Sequence, residues 1–463
     1  MVEQKTRNTI IIFVFLLFIY GLWYSVFWPG PTGQDGYSLL ININQGSPKW
    51  TGKEGAWLIY ALLTYGATGY VEAITIPLLI LHVLIFARLV AHLWNMGCRK
   101  VAFASAIFIA CTPHVLNAAS SLYPDSIFSL AFIALLFEIW LALKNGLTKT
   151  SVIFIFILFP IASSFKANGI IIVLPMLYLA WVLKPRGQKI FILLTMLVWW
   201  GIGTICHQRF DLGEGHPALK PLVLFETTNF MQSRPMNLWE TRHMVTDRTR
   251  EIMYRHISQD AIDELYDRDY WDTLWHANQD RVRFHGMSDK DWRYLRKDFF
   301  KYNLWRNIPA FSASRVNIFL ASALAQGGIV APTSGKDILS TVSTNSTYNP
   351  FGFDRLRSLF LQAFDFTYAW RFLFWSPFVG LVLLAVAAKK NAGTHDTANR
   401  VILATLFIQL AGIFLMSIAA EYRYLLMFFY SPLLLVPVLH DEAGHALKAH
   451  SGAGPAIHSL SSK

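Results

Sequence analysis

Charge is scarce in this sequence. Only 15% of its 463 residues are Asp, Glu, Lys or Arg, where a soluble domain carries roughly a quarter. That shortfall excludes an ordinary water-soluble protein of this length. Cysteine is scarcer still. The three residues, Cys98, Cys111 and Cys206, are too few and too far apart for a disulfide framework or a thiolate metal site. No phosphate-cradling loop and no dinucleotide fingerprint appears. His207, His216, His243, His256, His276 and His285 follow no His-Glu-x-x-His spacing and have no cysteine partners, so they read as solvated or structural.

Apolar residues are what the chain has instead, 54% of the total, and they come in long runs. Residues 8–28, 73–94, 101–116, 125–143, 189–206, 369–388, 401–420 and 422–440 are each about long enough to cross a hydrocarbon core at roughly 1.5 Å per residue. Residues 150–164 and 168–183 are shorter and read as a helical pair joined at the membrane edge. The chain therefore reads as an all-α polytopic membrane protein with about ten transmembrane helices. The first run is followed by Trp28-Pro29-Gly30-Pro31 rather than a small-x-small cleavage site, which favours a retained helix over a signal peptide.

A formal net charge of +11 invites a nucleic-acid reading, but the distribution argues against it. Lys5 and Arg7, Arg99 and Lys100, Lys144 and Lys149, Lys184, Arg186 and Lys189, and Lys389, Lys390 and Arg400 fall in alternate connections, hence on one side. The positive-inside rule makes that side cytoplasmic, with both termini on it. No nucleic-acid partner is expected.

This topology divides the chain into four parts. Residues 1–206 form an N-terminal transmembrane module of about seven helices, with a first outer loop at 29–72. Residues 207–368 form a mainly helical insertion on the outer, periplasmic side. Residues 369–440 form a C-terminal module of about three helices, and 441–463 a polar, disordered cytoplasmic tail. Within the first loop, 37–43 predicts a short interfacial helix, and 56–65 lies along the surface or extends the next span. Within the insertion, 258–266 and 288–306 read as helices, the second opening on Ser288 and Asp291 as a capping box. The Ser-, Thr- and Gly-rich stretch 333–348 reads as a loop.

The outer connections hold few charges, and each has an ordinary explanation. Asp35 sits in a Gly-flanked turn. Asp125 follows Pro124 at a helix start, where the dipole favours an acid. Lys166 lies between the two short apolar runs and can snorkel. Glu421-Tyr422-Arg423-Tyr424 joins the last two runs with almost no loop, where a Glu–Arg pair can form. Yet a charge at a membrane helix centre costs about 2.5–3.5 kcal/mol, and Lys is disfavoured on the outer side. Remote segments thus place acids and bases at one membrane depth. An acid can take a proton from an attacking hydroxyl, and Lys and Arg can hold a phosphate. The combination suits chemistry on a lipid-linked phosphosugar.

In these pieces the chain resembles the GT-C superfamily of bacterial membrane glycosyltransferases that use polyprenyl-phosphate sugars. The matching pieces are Pro31-Thr32-Gly33-Gln34-Asp35-Gly36, Ser121-Leu122-Tyr123-Pro124-Asp125, Lys166-Ala167-Asn168-Gly169 with Pro175 beyond, and Arg423-Tyr424-Leu425-Leu426 with Pro432 beyond. The resemblance implies a periplasm-facing enzyme of the bacterial inner membrane. It would move a sugar from undecaprenyl phosphate to a hydroxyl of a cell-envelope glycan, such as O-antigen, or of a surface protein. Carried over, Asp35 is the catalytic base or its orienter, and Asp125 a second acid steering the acceptor or a divalent cation. Lys166 and Arg423 bind the lipid phosphate, Glu421 organises Arg423, and Tyr424 belongs to the same substrate-binding turn. The chain departs from the pattern at Gly36, where relatives often carry an acid, and at Ala167, where they often carry Gly. Two rival classes remain: a transporter or flippase of lipid-linked glycans, and a non-enzymatic assembly subunit docking through its insertion. The first expects ionisable residues near helix midpoints and broken helices; Pro160 apart, the sequence offers few.

Overall fold

In lipid every backbone N–H and C=O must find its partner within the segment, so apolar runs of this length fold as helices. The computed structural model describes residues 2–46, 55–210, 219–233, 244–278, 280–328, 330–393 and 396–440. Among them all regular structure is helical, apart from two isolated bridges, Ile257 with Val282 and Tyr270 with Ala419. The N-terminal part runs through α1 (Val2–Val26), α2 (Gln34–Asn44), α3 (Gly55–Thr68), α4 (Glu72–Asn95), α5 (Arg99–Cys111), α6 (Pro113–Ser120), α7 (Pro124–Asn145), α8 (Lys149–Ser164), α9 (Val173–Val182) and α10 (Arg186–Arg209).

Seven helices among the described residues are long and apolar enough to cross a membrane: Thr6–Val26, Glu72–Asn95, Pro124–Asn145, Arg186–Arg209, Arg371–Asn391, Thr397–Met416 and Tyr422–His440. The expected count of about ten is not reached on length and apolarity. The run at 101–116 is not straight, because α5 and α6 meet at 65°. Pro113 lacks an N–H and pushes the residue before it out of the helical region; Thr112 is extended at φ −95°, ψ 104°. Taken as one span, that pair raises the number to 8. Lys149–Ser164 and Ala167–Val182 are the expected short pair.

α7 is the axis of the bundle. In its apolar window 89% of residues are buried, and it packs on α4, α8, α9 and the Leu426–Tyr430 helix. Its sequence carries apolar residues on every side, as a helix enclosed by others requires, with Glu138 the charge within its apolar stretch. α10 is the opposite case, with 11% buried and Leu193, Leu197, Trp200 and Ile205 exposed. The apolar interior also holds an ion pair that sequence reading passed over: Arg88 Nε on α4 meets Glu138 Oε1 on α7 at 3.0 Å.

The helix expected in the first loop is present, and a second accompanies it. Residues 37–43 lie in α2, and 56–65 lie in α3. α3 does not extend the following span, because Gly69 at φ +73° turns the chain before α4. That left-handed conformation is cheap only for glycine.

The insertion builds its own core around α11 (Lys220–Phe230), which is buried at every position. Its Phe225 and Phe230 share one apolar core with Trp271, Trp292, Phe299 and Ile318. Thr246, Ser258 and Ser288 cap their helices by accepting from the N–H groups of Thr249, Ala261 and Asp291, as the capping signal at Ser288 predicts. The helix expected over 288–306 is interrupted by a π turn at Phe299–Asn303. Asn303 there accepts from the Thr246 N–H and donates to Thr249 Oγ1. The stretch 333–348 is not all loop, since Gly335–Thr341 is helical. Contacts with the first loop support it: Ser334 Oγ accepts from the Thr32 N–H, and the Ser343 carbonyl accepts from Asn44 and Tyr65. His216, His243 and the tail at 441–463 lie outside the described residues.

The insertion is fastened to the connection leading into Glu421. The fully buried pair Glu226–Arg315 anchors it, and Arg315 also donates to the Ser417 carbonyl. Trp271 N–H donates to the Ile418 carbonyl at 3.1 Å, and Ala420 N–H to the Asp269 carbonyl at 2.7 Å.

Candidate functional site

Remote segments meet where the insertion joins the bundle, and local sequence explains how each arrives. Asp35 is in the first turn of α2, held close by Gly33. A Cβ on Gly33 would fall 2.2 Å from the Tyr123 hydroxyl, so only glycine admits that ring. Asp125 is in the first turn of α7, begun by Pro124. Lys166 precedes the 3-10 turn Ala167–Ile172. That turn folds back on α8 because Gly169 has no side chain; a Cβ there would lie 2.4 Å from the Ala162 carbonyl oxygen. Glu421 precedes the 3-10 turn Tyr422–Leu425, which carries Arg423 and Tyr424.

Arg423 is the hub. Its Nη1 lies 2.6 Å from Asp35 Oδ2 and 3.8 Å from Asp125 Oδ2, and its Nε lies 2.6 Å from Glu421 Oε2. The guanidinium sits 4.7 Å over the Tyr123 ring and 5.7 Å from the Tyr424 ring. Lys166 Nζ holds Asp125 Oδ1 at 3.1 Å. All six residues singled out from the sequence, Asp35, Asp125, Lys166, Glu421, Arg423 and Tyr424, thus belong to one cluster. Three carboxylates against two cations leave it one negative charge. Asp125 and Glu421 are buried, whereas the Asp35 side chain keeps 48% of its surface.

Two tyrosines border the cluster. Burial pushes the Tyr123 hydroxyl up to about 12, and does the same to Tyr270. Both hold their protons at neutral pH, which leaves the carboxylates as the bases at hand. Among the described residues no group of three His, Cys, Asp or Glu side chains is placed to hold a metal ion.

A cavity of about 50 Å³ lies beside Arg423. His114, Asn117 and Trp375 line it together with Asp125. Sequence reading missed all three. His114 and Asn117 interrupt an apolar run just after Pro113, which was the available signal; Trp375 offered none, being one aromatic among many. His114 Nε2 is hydrogen-bonded to the Tyr422 hydroxyl at 3.0 Å, and Asn117 Nδ2 donates to the Val330 carbonyl at 2.8 Å.

Gly328 covers Glu421 from the insertion side. At φ +74°, a Cβ on it would lie 2.7 Å from Glu421 Cβ. Gly328→Ala should displace Glu421 and misaim Arg423, lowering any activity that depends on this pair about ten- to a hundredfold. Gly187→Ala, whose Cβ would meet nothing within 4 Å, should leave it unchanged. Equal activity of the two variants at matched protein level would show that Glu421 is not held by this contact.

Fold and site together define an all-α membrane protein with a buried, arginine-centred charge cluster at one end of its bundle. No protein-family model matches the chain, and comparison with curated proteins and with solved structures found no match.

Proposed function

We propose that the chain is a membrane glycosyltransferase of GT-C type, acting at the periplasmic face of a bacterial inner membrane on an undecaprenyl-phosphate sugar. One observation carries the reading: two carboxylates that can take a proton, Asp35 and Asp125, converge with two cations that can hold a phosphate, Arg423 and Lys166. Convergence from segments far apart in sequence, at a boundary where charge is costly, is what a reaction site requires and a solvated surface does not.

In the proposed reaction the donor phosphate takes Arg423 Nη1 from Asp35, the most exposed member of the cluster. That exchange frees Asp35, which is a poor base while a guanidinium hydrogen-bonds it. The acceptor hydroxyl oxygen then attacks the anomeric carbon and gives its proton to Asp35. The bond from that carbon to the phosphate oxygen breaks, and undecaprenyl phosphate leaves with the electron pair, its charge met by Arg423 and Lys166. Glu421 aims Arg423. The acceptor is a hydroxyl of an envelope glycan or, by the same chemistry, of a surface protein. Membrane vesicles given polyprenyl-phosphate sugar and envelope acceptor should transfer the sugar, and Asp35→Asn should cut the rate by about 10²–10⁴. Full activity in that variant would overturn the assignment of the base.

A second reading, transport of a lipid-linked glycan, draws on Arg88 and Glu138, because paired charges among spans often mark a pathway. Counterflow of labelled lipid-linked glycan that Arg88→Leu abolishes, with no sugar transfer, would favour it.

A further inference from the structure

Four buried polar atoms without a hydrogen-bond partner among the described residues belong to side chains around one small cavity. They are Asp125 Oδ2, His114 Nδ1, Asn117 Oδ1 and Trp375 Nε1. Each of these side chains is at least nine-tenths buried. Such atoms are normally satisfied, and here four of them belong to residues that line one cavity. Their chemistry is mixed. Asp125 and Asn117 offer acceptors, the Trp375 indole offers a donor, and the His114 ring nitrogen is either, according to its tautomer.

We infer that this cavity is the subsite for the transferred sugar and that it reads the hydroxyl edge of a neutral monosaccharide. The inference rests on the glycosyltransferase reading and specifies what that reading leaves open. A vicinal pair of hydroxyls both donates and accepts, so one such pair can supply partners of both kinds. A carboxylated or phosphorylated sugar would set its charge against Asp125, already in a cluster of net negative charge. The lining is also aromatic: the Trp375 ring lies 5.4 Å from Phe364 and 6.3 Å from Tyr422. Apolar walls with a few convergent polar groups are how proteins hold small polar ligands. At about 50 Å³ the cavity takes three to five water-sized groups, which fits one edge of a ring and not an oligosaccharide. Arg423 lines the same cavity, so a sugar seated there has its phosphate within reach of the guanidinium.

The test is binding to the full-length protein in detergent. The probes are undecaprenyl phosphate alone and undecaprenyl phosphates bearing glucose, galactose, N-acetylglucosamine or arabinose. At least one sugar-bearing carrier should bind about tenfold more tightly than the bare one. Trp375→Phe, which keeps a ring and removes the N–H, should erase that difference while leaving the bare carrier's affinity unchanged. Asn117→Ala should do the same should Trp375→Phe fold poorly, as judged by thermal melting. Equal binding of bare and sugar-bearing carriers by the wild type overturns the subsite. So does a variant that weakens both carriers equally. Failure of every carrier to bind overturns the glycosyltransferase reading itself, and the subsite with it.

Discussion

Arg423→Gln should abolish the sugar transfer we propose, lowering it by at least about 10³-fold, the upper range for loss of one preorganised charge partner. Arg423 pairs with Asp35 and Glu421 together, and it approaches Asp125 as well. Without it three carboxylates, two of them buried, lose their shared partner, and Lys166 still pairs with Asp125. Breaking a buried pair by removing one partner costs about 3–5 kcal/mol, so a reduced folded yield should accompany the lost activity. Arg423→Lys separates the two effects. It keeps the charge and loses the planar fork that engages two carboxylates at once. Its yield should approach the wild type, while its activity stays about ten- to a hundredfold down. Arg423→Gln combined with Asp35→Asn should recover yield and not activity. Vesicle transfer assays normalised to immunoblotted protein measure both quantities. An active Arg423→Gln protein would remove the hub from the mechanism.

Arg315→Met should destabilise the insertion severely, again by about 3–5 kcal/mol, because Glu226 would be left charged and fully buried. Ser314 Oγ and Asn229 Nδ2 also donate to that carboxylate, at 2.8 and 3.1 Å, but neither carries a compensating charge. Glu226→Leu with Arg315→Met replaces the pair by apolar groups and should restore most of the melting temperature. Activity should return only in part. Arg315 also binds the Ser417 carbonyl, in the connection that ends at Glu421, and methionine cannot. Thermal melting in detergent, alongside transfer in vesicles, would show stability and activity recovering to different extents. A single variant as stable as the wild type would refute the buried-pair account.

The site was legible in the sequence to the extent that cost is legible. A charge at the edge of an apolar run demands a reason, and Asp125, Lys166, Glu421 and Arg423 each stood at such an edge; Asp35 stood in a Gly-flanked turn of the first loop and was marked by the family resemblance. Their pairing was not legible. Asp35 and Arg423 are 388 positions apart, and nothing local records that they meet. α11 escaped for another reason: its apolar stretch is too short for a span and sits in a region whose overall composition is polar. Arg88 and Glu138 were visible as single charges inside long runs, but each looked tolerable alone, and only their juxtaposition identifies them as partners. The bend at Thr112 was written in the Thr-Pro dipeptide and was outweighed by the length of the apolar run around it.

The enclosure of α7 has a consequence for how the protein meets different bilayers. A helix surrounded by other helices has almost no acyl-chain contact, so changes in bilayer thickness act on the periphery, where α10 can tilt to match them. Asp125, at the head of α7, keeps its position relative to Lys166 and Arg423 whatever the surrounding chain length. The depth of the site is a property of the protein rather than of the bilayer, and on the proposed reading a carrier lipid must bring its phosphate to that depth.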